Sequence, residues 1–118
     1  MNKLKVTAVT ANEILFENGI KLYSDHNQDC CESHYLDLTH ISISDFKGLE
    51  FDLSNDDFFE RIEDYGIALK PINRFPVRIP GYGSNNGWYS SNLSLVLTDG
   101  KDFTKIFDIA ECQNINWC

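Results

Sequence analysis

Tyr23-Ser24-Asp25-His26-Asn27-Gln28-Asp29-Cys30-Cys31-Glu32-Ser33-His34-Tyr35 holds two of the three histidines of the chain, two of its four cysteines and three of its eighteen carboxylates. No other stretch concentrates so many reactive groups. Asp25 followed by Gln28 fits a capping box, in which a side-chain oxygen accepts from the exposed N–H groups of a first helical turn. The spacing predicts a helix over 25–33. On it His26, Cys30 and His34 stand at i, i+4 and i+8, along one face. Cys31 points about 100° away, so the two neighbouring cysteines do not readily share a metal.

Three readings of this stretch compete. In the first, the helix is structural: the cysteines pack inward as small apolar groups while Asp25 and Asp29 bind backbone. In the second, His26, Cys30 and His34 contribute to a zinc site, with a distant ligand such as Cys112 or Cys118, although two spaced ligand pairs are missing. In the third, Cys30 is a thiolate activated by His26, a role that Asp25, Asp29 and Glu32 oppose.

The run His26-Asn27-Gln28-Asp29-Cys30-Cys31-Glu32 resembles the H-x-Q-D-C-C-E signature of a family of small bacterial and phage-borne proteins of unknown function. That family tends to carry an S-N-G-Y-Y-S segment nearer its C-terminal end. Here Ser84-Asn85-Asn86-Gly87-Trp88-Tyr89-Ser90 takes that place, with one extra Asn and with Trp for the first Tyr. The resemblance spans residues 12–98. It implies a fold and a mobile-element origin, and no activity.

The chain has 118 residues, enough for a single domain over 1–118 with one modest core. Its mean hydropathy of -0.30 is ordinary for a globular protein. No apolar run reaches the length of a membrane span, and Met1-Asn2-Lys3-Leu4-Lys5 leads into strand-like alternation rather than a signal-peptide core. A cytoplasmic protein with free thiols and no membrane contact is expected. The formal charge of -8, without a basic stripe, argues against direct nucleic-acid binding.

Along the chain, Leu4–Val9, Glu13–Glu17 and Ile20–Tyr23 read as strands, the last two joined by an Asn18-Gly19 hairpin turn. Tyr35–Ile43 alternates with period two, which makes His40 a structural strand residue. Ser54 or Asn55 caps a second predicted helix over 55–65, with acids in its first turn, Phe58, Phe59, Ile62 and Tyr65 on its core face and Gly66 as its stop. Ile67–Leu69 reads as a brief strand. Phe75–Pro80 suits an edge strand or extended loop because Pro cannot donate to a ladder. Gly81–Gly87 lacks the Gly-Lys-Ser/Thr ending of a phosphate-binding loop and reads instead as a hairpin turned at Asn86-Gly87. Leu93–Thr98 and Phe103–Ile109 form a hairpin about Asp99-Gly100. The tail from Glu111 shows no pattern.

These elements add up to an α+β fold: a mostly antiparallel, twisted sheet of six to eight strands with two short helices. No Ser/His/Asp constellation and no assignable carboxylate pair is present, so a non-enzymatic function without a cofactor is expected. The leading reading is a small acidic accessory protein of a phage or mobile element that binds another protein, with Tyr82, Trp88 and Tyr89 as contact residues because aromatics dominate interface energetics. One alternative is the metal- or thiol-dependent site on His26 and Cys30. Another is a nucleic-acid mimic built on 45–64, where eight acids face only Lys47 and Arg61.

Overall fold

A computed structural model of the chain describes residues 3–26, 33–72, 74–85 and 92–117. Twelve strands run through these segments: β1 (Lys3–Leu4), β2 (Val6–Val9), β3 (Glu13–Phe16), β4 (Lys21–Asp25), β5 (Ser33–Leu36), β6 (Phe51–Asp52), β7 (Phe59–Ile62), β8 (Gly66–Leu69), β9 (Val77–Asn85), β10 (Ser94–Thr98), β11 (Thr104–Asp108) and β12 (Asn114–Trp117). The only helical elements among the described residues are 3-10 turns at Glu17–Gly19, Ile43–Phe46 and Asp56–Phe58. The molecule is therefore mostly β, and the expected α+β class with two helices is wrong. No described helix is long and apolar enough to cross a membrane.

The reason is local in both places. Asn55 does cap, accepting from the N–H of Asp57, but only for one 3-10 turn before the chain extends into β7. That switch lets the neighbouring Phe58 and Phe59 both turn into the core, where their rings lie 5.0 Å apart and both meet Phe107. Gly66 stops nothing. It opens β8 where a Cβ would come within 2.0 Å of the Ile79 carbonyl oxygen, so its role is close strand packing. At the first predicted helix, Asp25 ends β4 and Ser33 opens β5, while residues 27–32 lie outside the described residues.

The first sheet runs β11-β10-β4-β3-β2, antiparallel throughout. Asn18 (φ 66) and Gly19 (φ 75) close the β3–β4 hairpin as anticipated. The β10–β11 turn is longer than two residues: the Asp99 carboxylate accepts from the N–H groups of Lys101, Asp102 and Phe103. Those donors hold its pKa below the ordinary aspartate range. In the second sheet β9 is central rather than an edge. β8 pairs with its first half and in turn with β7, while β5 and the parallel strand β12 flank its second half. Pro80 is tolerated because its missing N–H falls where β5 has ended, and its carbonyl still accepts from Asp37 N–H at 2.8 Å. A small third sheet pairs β1 with β6.

The inner faces of the two large sheets share one core. Ile14, Leu22 and Leu95 of the first meet Leu36, Ile67 and Ile79 of the second around a gap of about 10 Å³, too small for a ligand. Burying each such side chain contributes about 1.5–3 kcal/mol. The strand predicted over Tyr35–Ile43 ends at Leu36. His40 beyond it is exposed in a turn, 3.7 Å from Asp37.

Candidate functional site

Two groups of residues gather at one end of β9, on opposite faces of its sheet. The inward group starts from the alternation of β5, which buries His34 and Leu36 and leaves Tyr35 outside. His34, Asn85 and Gln113 are all buried polar residues. The Gln113 carboxamide is oriented by its Nε2, which donates to Ala110 O at 2.9 Å. Its Oε1 then faces His34 Nδ1 at 2.8 Å, so Nδ1 carries the hydrogen. Asn85 Nδ2 donates to the other ring nitrogen at 3.2 Å. The ring crosses directly over Gly83, where a Cβ would sit 2.4 Å from Nδ1. His34 thus ties the strands on both edges of β9 together.

The structure brings His26 to this group, its ring 4.6 Å from that of His34, edge to face. His26 Nδ1 donates to the Asn92 carbonyl oxygen at the start of the β10 segment. Two of the three predicted metal-site residues therefore meet, and Cys30 lies outside the described residues. The arrangement is a poor metal centre for His34, whose two nitrogens both hold protein partners. No group of three or more His, Cys, Asp or Glu side chains that could hold a metal occurs among the described residues. Cys112, weighed as a distant ligand, is fully buried. Burial, reinforced by the Glu111 charge, pushes its thiol up to about 11, which makes it an inert packing group.

The outward group is a shallow concavity of about 540 Å³. Tyr82, as anticipated, is exposed, and it stands beside Tyr35 with ring centroids 6.2 Å apart. Ser33 and Ser84, paired across β5 and β9, lie next to them, and Asn114 and Asn116 of β12 complete the rim. Among the described residues, no charged side chain lines the concavity. Trp88 and Tyr89 lie outside the described residues. Sequence reasoning missed Tyr35 and the two asparagines. The signal was there as period-two alternation in Ser33-His34-Tyr35-Leu36 and in Asn114-Ile115-Asn116-Trp117.

The acids of 45–64 are partly engaged in local structure. Asp45 completes a capping box with Ser42, Asp52 accepts from Ser54, and Asp56 pairs with Lys105 at 3.1 Å. No protein-family model, curated protein or solved structure matches the chain.

Proposed function

We propose that the chain is a non-enzymatic recognition protein that binds another protein through the outer face of β5, β9 and β12. The observation that carries this reading is the pair of exposed tyrosines, Tyr35 and Tyr82, on strands held rigidly by main-chain pairing. Tyrosine offers a large amphipathic contact area at low conformational cost, while Ser and Asn adapt their hydrogen bonds to a partner. That is the composition of this concavity, and aromatic anchors at such positions carry most of an interface's binding energy. The polar groups on the inner side bond to one another across the sheet, which fits a supporting role.

The test uses Tyr35→Ala with Tyr82→Ala. Both rings are solvent-facing, so the double variant should melt within a few degrees of wild type. Quantitative affinity purification, with a photo-crosslinking amino acid at position 84, should capture a partner for wild type that the double variant loses. Identical capture by both proteins would sink the proposal.

A further inference from the structure

The segment from Tyr65 to Thr98 contains no acidic residue and carries Lys70, Arg74 and Arg78, in a molecule whose net charge is -8. Its loop between β8 and β9 presents Phe75 with 90 % of its surface exposed, beside an exposed Arg74. The stem of that loop is fastened to the segment that precedes β7. Ile72 N–H donates to Glu50 O at 2.8 Å and Lys70 N–H to Phe58 O at 2.7 Å. Between those anchor points run Glu50, Asp52, Asp56 and Asp57, with no cation among them. The same segment supplies Leu53 to a cleft of about 290 Å³ lined by Leu4, Ile20, Leu53 and Phe103 together with Asn18, Ser54 and Lys105. Asp56, with its side chain 67 % exposed, stands beside that cleft through its pair with Lys105.

An exposed benzyl group with cations thus follows a loop stem bonded to the acidic segment, and that same segment helps to line a largely apolar cleft. A patch that holds both a knob and its complementary hole satisfies the condition for two-fold self-association, in which each copy gives what it receives. We infer that two copies of this chain pair through this patch, Phe75 of each entering the Leu4–Leu53 cleft of the other while Arg74 meets Asp56. The occupant is a second copy because the attraction is internal to the patch: cationic loop against acidic segment, twice per pair. Two phenyl groups and a few ion pairs make a small interface, so the affinity is on the order of micromolar and falls with salt.

Sedimentation equilibrium of the full chain, over a range of concentration and salt, tests this. Wild type should form a dimer that weakens as salt rises. Phe75→Ser should be monomeric with an unchanged thermal melt, since the ring touches little of its own chain. Arg74→Glu and Asp56→Arg should each weaken the dimer at least about tenfold, through like-charge contacts. Mixed in equal amounts they should regain it, because the mixed pair restores both opposite-charge contacts. Tyr82→Ala should dimerise as wild type does, which separates this surface from the recognition face. A wild type that stays monomeric at sub-millimolar concentration overturns the inference. So does a Phe75→Ser protein that dimerises undiminished, or a charge-swapped mixture that remains monomeric.

Discussion

In the sheet β11-β10-β4-β3-β2, three of the four neighbour pairs are hairpins closed by residues adjacent in sequence, at Thr10–Asn12, Glu17–Gly19 and Asp99–Phe103. Around β9, by contrast, β5 and β12 arrive from far along the chain and are held by close approach. The glycines record the difference. Gly100 has a positive φ of 78° and nothing within 4 Å of the place its Cβ would take. Gly66 and Gly83 have no such backbone need, yet a Cβ at either would collide. One sheet uses glycine for a backbone angle and the other for room, so substitutions of the same kind should have very different costs.

The largest expected effect is Gly66→Ala. Its methyl would meet Ile79 O at 2.0 Å and Gly81 N at 2.8 Å, both backbone atoms that cannot swing aside. A loss of more than about 4 kcal/mol in urea denaturation is expected, in the range reserved for severe core disruption. Next comes His34→Ala, which removes one buried hydrogen bond that spans β9 to Gln113 and one to Asn85 on β9 itself, and should cost about 2–3 kcal/mol. Gly83→Ala and His34→Ala should be coupled: with the ring gone, the added methyl loses its nearest obstacle. A double-mutant cycle that comes out additive would show that the ring does not hold that position.

A smaller effect belongs to Cys112. Its folded thiol stays protonated up to about pH 11, whereas the unfolded thiol ionises near the ordinary thiol value of 9.0. Stability it contributes is therefore complete below pH 9 and lost progressively as pH rises toward 11, by about 2 kcal/mol. Denaturation of wild type and Cys112→Ala at pH 8 and pH 11 should give a steeper decline for wild type. The smallest effect is Gly100→Ala, at about 1 kcal/mol, because only the backbone angle resists it. Should Gly100→Ala prove as costly as Gly66→Ala, the distinction between the two sheets collapses.

What could be read in the sequence follows the same division. The first sheet was legible because Asn18-Gly19, Asp99-Gly100 and the run Leu93–Thr98 carry their structural meaning within a few residues. The helix expected over 55–65 failed because Asn55 and its acids do cap a turn, but adjacent Phe58 and Phe59 both needed the core. A single helical stripe with Tyr65 could not give them the contact with Phe107 that β7 provides. β9 was misjudged as an edge because its one proline, Pro80, is excused by the end of β5 beside it, a fact of pairing that no local pattern contains. Of the candidate site, the exposure of Tyr82 was expected on a loop rather than on β9, and His26 and His34 were expected on one helical face, whereas His34 stands on β5. Gln113 was not anticipated: its partner His34 lies 79 positions away.

That separation of 79 positions also sets a timescale. Hairpins such as β10–β11 close in about 1–10 μs, but sheets made of distant segments take about milliseconds to seconds. The clamp of His34 on Gln113 cannot form until β12, which follows every other strand, has reached β9. Until then the Gly83 cradle is open and the apolar rows of β8 and β9 have only part of their cover. Chains that collide in that interval can pair wrongly. Refolding yield should therefore fall as protein concentration rises, even where the finished molecule is stable.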